Sequence, residues 1–420
     1  MMQRKHSYWS TLGALALLVG STQVAALDKN VLRAGLEGDA NEEISRLRDA
    51  GNEYDAPPVY DYVQRVLDDV SQEPGRYQVF LLDTEDVIGY ALSNGNVVLS
   101  SALVARLENE AQLAMVLAHE LAHIEKEHAL EVKVAEIERE NRRSGGSFGD
   151  LLSRAGDLAV ATGAISSITG GDTSTVTEGV STANTANVAL ESIESSMAAA
   201  GPEGLGKELE EEADKRGVKL LSKSGYDLNV AVTAWEQLAK YSVNTSSRYL
   251  YGNTEALAER SKQTREAADK RKSSGSKGTE HGAYCEEIFV TARWLATEDI
   301  DAKRFKAAED SVGCALAARP DDPRTRYLNG MLLRETARTS SGYRAAIDEF
   351  KFVLNEIPDQ ASTHRELGYT YTDVEEYDLA LNHLGRYLEL RPDAKDKDNV
   401  ESAIEAVETL KSVSGGGEDW

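Results

Sequence analysis

The stretch His119-Glu120-Leu121-Ala122-His123 constrains this chain most, because its chemistry exists only if the segment is helical. Each helical residue advances about 100° around the axis, so histidines four apart lie about 40° apart. Both imidazoles then leave one face and can reach a single metal ion. Glu120 sits at the edge of that face, where a carboxylate can take a proton from water held at zinc. Peptide-bond hydrolysis is therefore the first expectation. Leu113, Val116, Leu117, Leu121 and Ile124 recur at helical spacing, an apolar stripe expected to bury the helix and leave the histidines along its edge.

Catalytic zinc takes three protein ligands and keeps one position for water. His128 follows His119 by nine residues, which on a continuing helix is half a turn away, so it is expected to be structural or solvent-facing. The metzincin pattern needs glycine and histidine where this chain has Lys126 and Ala129, and that class is excluded. The third ligand is sought in Lys207-Glu208-Leu209-Glu210-Glu211-Glu212-Ala213-Asp214, which follows a Gly201-Pro202 break and reads as a second helix. Glu210 and Asp214 share a face, so one carboxylate can bind zinc while the other receives a hydrogen bond from a ligand histidine. Spacing alone leaves Glu208, Glu210 and Glu211 open as the ligand.

His-Glu-Leu-Ala-His followed far downstream by Glu-x-x-Ala-Asp resembles the gluzincin family of CAAX prenyl proteases and HtpX-like peptidases, most closely its periplasmic BepA-like branch. The likeness extends through Asn94–Ser100, Glu110–Ala114 and Ser224–Asp227, and covers roughly residues 55 to 270. It implies that His119, His123 and Glu210 bind one zinc ion, that Glu120 is the catalytic base, and that Asp214 orients a ligand histidine. It further implies unfolded or stalled outer-membrane proteins as substrates. Departures are local: Ile88-Gly89 stands where the family has Asn-Ala, and Lys207 where arginine is common. Tyr251-Gly252-Asn253 occupies the region where many relatives carry a zinc-capping Thr-His-Pro.

Residues 1–26 carry Arg4 and Lys5, an apolar run from Leu12 to Gly20 too short to span a bilayer, and Val24-Ala25-Ala26. That is the pattern of a secretory signal peptide cleaved after Ala26, and it makes the periplasm the expected location. The formal charge is −25, and becomes −27 once those two cations are removed. So acidic a surface disfavours nucleic acid and anionic lipid, which leaves polypeptides as the expected partners. No segment of the mature chain is long and apolar enough to span a bilayer, which argues against an intramembrane protease.

The expected architecture is mainly α with a small β-sheet: a gluzincin-like metallopeptidase domain at 27–272, then an all-α tetratricopeptide-repeat solenoid. Two helices are expected between residues 40 and 72, and a strand at Tyr77–Asp83. Asn94-Gly95 marks a tight hairpin, and Val97–Ser100 is the expected edge strand for an extended substrate. The Gly/Ser/Thr/Ala-rich segment 144–206 reads as a flexible insertion or mobile lid, and 273–283 as a linker.

Over 284–412, Pro320, Pro358 and Pro392 each follow an amphipathic helix. Small residues recur in register at Ala308, Ala346 and Ala380, and at Ala296, Gly330 and Gly368 once four extra residues are placed near Thr339-Ser340-Ser341. Phe350, Tyr371 and Leu384 fall at the bulky positions, and residues 413–420 read as a tail. Such hairpins form a groove for peptide segments or for outer-membrane assembly machinery. Cys285 and Cys314 are expected to form a disulfide in an oxidising compartment. The competing expectation is a chaperone or adaptor that acts through the repeats while the zinc site is dormant.

Overall fold

Asn94-Gly95 turns the chain back on itself because Gly95 adopts φ +90°, a conformation that glycine enters without steric cost. In this computed structural model, which describes residues 21–144, 205–241, 254–271 and 275–415, that turn joins β2 (Gly89–Ala91) to β3 (Asn96–Ser100). A third strand, β1 (Gln78–Leu82), lies parallel to β3 with Val79 opposite Val97 and Leu81 opposite Leu99. The sheet order is β1-β3-β2, so β3 is the central strand.

This overturns the expectation that Val97–Ser100 forms an edge. The hairpin signal identified two neighbouring strands, but the parallel partner comes from a separate stretch that local sequence cannot assign. Burial gives the physical reason: Val97, Val98 and Leu99 are fully covered, as in a strand flanked on both sides. The antiparallel edge is β2, with Tyr90 opposite Val98. The outer side of β1 is partly covered by an isolated bridge from Glu53 to Leu82.

The chain divides into two compact units that do not follow sequence order. The first comprises residues 1–55, 63–100 and 111–277. It contains α1 (Ser21–Asp49) and most of α2 (Pro57–Ser71) and of α4 (Glu110–Glu125). It also holds α5 (His128–Ser144), α6 (Leu205–Ser224), the short helices α7 (Leu228–Ala231) and α8 (Ala234–Ala239), and α9 (Thr254–Asp269). Helix α4 is buried on all sides from Ala111 to Ala122 rather than along one stripe. Alanines at 111, 114, 118 and 122 fill the faces that the leucines and valines leave, which is how a helix sits inside a core.

The second unit comprises residues 56–62, 101–110 and 278–420. Its helices are α3 (Ser101–Arg106), α10 (His281–Glu287), α11 (Phe289–Asp301), α12 (Phe305–Ala318), α13 (Pro323–Thr336), α14 (Ser340–Glu356), α15 (Ala361–Asp373), α16 (Tyr377–Leu390) and α17 (Lys397–Gly415). From α11 onward, consecutive helices pack in pairs: α11 with α12, α13 with α14, α15 with α16. Gly330 of α13 faces the Phe350 ring, and Gly368 of α15 faces Leu384, each so closely that a methyl group would collide. Helix α14 has 17 residues against 14 in α12 and α16, so the extra residues of the middle unit lengthen a helix. A disulfide joins Cys285 of α10 to Cys314 of α12. Arg106 of α3 reaches Asp299 at 2.7 Å and Ser311 Oγ at 3.0 Å, a buried ion pair that ties α3 to the first hairpin.

Among the described residues no helix is long and apolar enough to cross a membrane. Of the expected signal peptide, residues 1–20 lie outside the described residues, and the junction after Ala26 falls within α1. Nearly all of the 144–206 insertion and the Tyr251-Gly252-Asn253 segment also lie outside them.

Candidate metal centre

Helices α4 and α6 meet at the site because Gly217 lets them. A Cβ at that position would lie 3.2 Å from the Ala118 carbonyl carbon and the His119 nitrogen, tighter than ordinary packing. The glycine therefore permits the backbone of α6 to approach α4 beside His119. One turn earlier on α6 come Asp214 and then Glu210, both turned toward the histidine pair.

The nitrogens His119 Nε2 and His123 Nε2 are 3.0 Å apart. Glu210 Oε2 lies 3.1 Å from His119 Nε2, and Glu210 Oε1 lies 3.5 Å from His123 Nε2. One atom from each of the three residues falls within a 4.8 Å cluster. Nitrogen and oxygen ligands about 2.0–2.1 Å from a tetrahedral zinc ion lie about 3.3 Å from one another, so the spacings fit shared coordination. Glu210 Oε2 is also buried without a well-formed hydrogen bond among the described residues, although His119 Nε2 and the Arg260 guanidinium lie near it. Of the three carboxylates that spacing left open, the fold brings Glu210; Glu208 is exposed, and Glu211 pairs with Lys215 and Gln263.

Asp214 is 1% exposed and its Oδ1 lies 2.9 Å from His119 Nδ1. An Nδ1–H donated there leaves the His119 Nε2 lone pair facing Glu210 and His123. Arg260 of α9, a residue that the sequence gave no reason to single out, binds the same carboxylate with Nε at 3.0 Å and Nη2 at 2.9 Å. It also reaches Glu210 Oε2 at 3.3 Å, and its guanidinium stacks 3.9 Å above the Trp235 ring. Trp235 in turn meets His119 edge-on, with ring centroids 5.2 Å apart. Lys207 is exposed, so the positive charge at the glutamate comes from α9 instead.

His128 corrects the reading from helix geometry. Helix α4 stops at Glu125, and Glu127 takes φ +55°, so the chain does not continue as one helix through His128. The residue is 3% exposed, and its Nδ1 lies 2.9 Å from His123 Nδ1, not half a turn away.

Electrostatics separate the groups. Burial raises the Glu120 pKa to about 7, with the Glu210 charge adding to it. Burial and the Arg260 charge act to lower the His119 pKa, but Glu210 and Asp214 outweigh them and raise it to about 9. Burial, joined by the His119, His128 and Arg260 charges and opposed by Glu210, lowers the His123 pKa to about 3. Burial opposes ionisation of Glu210 and Asp214, yet Arg260 and His119 hold both below the usual carboxylate range. Two ionised carboxylates thus face the Arg260 guanidinium and the His119 ring, so the pocket is built to hold negative charge against positive charge. A buried carboxylate beside such a pocket, poised near neutral pH, has the properties of a general base.

A comparison with family models matches residues 55–312 to the model described as peptidase family M48. Among curated proteins, the chain is 28% identical over 178 residues to a beta-barrel assembly-enhancing protease of Escherichia coli K12, covering 40% of this chain and 29% of that relative. The protein of the same name in Yersinia pestis is 27% identical over 172 residues, covering 40% and 29%. A putative beta-barrel assembly-enhancing protease of Vibrio cholerae is 26% identical over 165 residues, covering 39% and 28%. The chain therefore matches under a third of the length of each of these relatives.

Proposed function

The chain belongs to peptidase family M48, and from that premise we propose that it is a zinc-dependent endopeptidase acting on unfolded or misassembled envelope proteins. The observation that carries this reading is the convergence of His119, His123 and Glu210 within 4.8 Å, with the buried Glu120 beside them. These three residues would hold one zinc ion, which when bound would supply a Lewis acid to polarise the scissile carbonyl and acidify water. Glu120 takes the proton of the attacking water and hands it to the leaving amine. Asp214 holds His119 in the tautomer that presents Nε2, and Arg260 keeps Asp214 and Glu210 ionised.

The substrate class and setting rest on the named relatives, on the disulfide and on the charge. A disulfide forms and persists in an oxidising compartment, which agrees with export to the periplasm. The net charge of −25 favours polypeptide over nucleic acid. The paired helices of the second unit, with small residues at each crossing, support a tetratricopeptide-type array that docks substrates or outer-membrane assembly machinery.

The test is Glu120→Gln assayed on a denatured outer-membrane protein alongside metal analysis. Cleavage is expected to fall by about 10²-fold or more while one zinc per chain is retained. Turnover at the wild-type rate would remove Glu120 from the mechanism. A cellular function that survives complete loss of cleavage would favour the adaptor reading.

A further inference from the structure

A histidine that binds metal through one ring nitrogen needs a partner on the other, which fixes its tautomer and its orientation. For His119 the partner is the Asp214 carboxylate. His123 is different: its Nδ1 faces a second imidazole, that of His128, with ring centroids 4.8 Å apart at 82°. We propose that His128 is the positioning residue for His123, accepting its Nδ1–H so that the Nε2 lone pair is held toward the ion. This rests on the zinc reading of the same site.

The direction of that hydrogen bond follows from its surroundings. Two neutral imidazoles joined Nδ1 to Nδ1 need one donor and one acceptor. His128 Nε2 has no hydrogen-bond partner among the described residues, with Glu212 Oε2 3.8 Å away, so the direction is decided at the His123 end. The opposite arrangement would place a proton on His123 Nε2, the atom that faces Glu210 and His119, and would close it as a ligand. The two histidines are thus held by different groups: His119 by the Asp214 carboxylate, His123 by the His128 imidazole.

The backbone is shaped for this contact. Ending α4 at Glu125 and turning left-handed at Glu127 swings His128 against His123. A glutamate in that conformation is strained, and it persists where its surroundings hold it. Arg33 of α1 does so with a two-pronged grip on the Glu127 carboxylate at 2.7 and 2.9 Å.

The experiment is zinc affinity of the full-length chain, measured by competition with a chromogenic chelator. His128→Leu is expected to bind zinc about 10- to 100-fold more weakly. His128→Asn, whose side-chain oxygen can stand where Nδ1 does, is expected to restore most of that loss. In parallel, ¹⁵N NMR of the zinc-loaded wild type should show His123 protonated at Nδ1, with a nitrogen–nitrogen coupling across the bond to His128. This measurement decides the matter even where His128→Leu does not fold. Wild-type affinity in His128→Leu, or a His123 ring without that coupling, overturns the proposal while the zinc site stands. Failure of the wild type to bind zinc, or binding indifferent to His119→Ala, overturns the underlying zinc reading instead.

Discussion

At the scale of single residues, Arg260 shows how one cation decides the state of several neighbours. It is 7% exposed and meets both Asp214 carboxylate oxygens and one Glu210 oxygen, and its charge favours the ionised form of both acids. Removing one partner of a buried pair leaves the other charge uncompensated, at a cost of about 3–5 kcal/mol. Arg260→Met is therefore expected to lower the thermal midpoint markedly and to weaken zinc binding, both measurable on the purified chain. An unchanged melting curve would mean that the carboxylates find another counter-charge. His119, Glu120 and His123 were legible from five consecutive letters, because helical periodicity alone places them together. Arg260 was not, since it stands 46 residues beyond Asp214 on a helix with no motif of its own.

Helices and strands carry their own consequences. The Gly330 crossing tolerates no methyl group: an added Cβ would meet the buried Phe350 ring at 2.5 Å. Gly330→Ala gains helix propensity but forces that ring to move, and overpacking costs about 1–3 kcal/mol. The expected outcome is a lower melting temperature, whereas Gly313→Ala, with open space around it, should be neutral or stabilising.

Helices α15 and α16 are also joined by a histidine pair, with His364 Nδ1 and His383 Nδ1 2.8 Å apart. Burial, then the neighbouring His364 and Lys351, lower the His383 pKa from 6.5 to about 4. Between those values the unfolded chain binds more protons than the folded one, so stability is full above about pH 6.5 and falls progressively toward pH 4. His383→Gln should flatten that dependence in thermal melts taken from pH 7 to pH 4.5. A slope identical to wild type would assign the acid sensitivity elsewhere.

For the whole molecule, the units cut across the sequence. Segments 56–62 and 101–110 cluster with the C-terminal helices, through contacts such as Arg106 with Asp299 and Tyr284 with the Val104 carbonyl. The Cys285–Cys314 bridge closes a loop of separation 29 within that same unit. In the chain-entropy view such a closure contributes roughly 3–4 kcal/mol. Replacing both cysteines with serine is expected to lower the stability of that unit by this amount in denaturant titration, and reductant should reproduce the effect in the wild type. If the double variant unfolds at the wild-type midpoint, the bridge constrains nothing that folding does not already fix.

Sequence alone determined what depends on local periodicity: the helix that pairs His119 with His123, the Asn94-Gly95 turn, the register of small residues at 296, 308, 330, 346, 368 and 380, and the cysteine pair. Tertiary structure decided what depends on distant segments meeting. It made β3 central rather than an edge, by supplying β1 as a parallel partner. It chose Glu210 from a run of glutamates, brought Arg260 to Asp214, and through the turn at Glu127 set His128 beside His123. The division has one cause: helix and turn propensities act within a few residues, whereas pairing, burial and charge balance act between residues that only the folded chain makes neighbours.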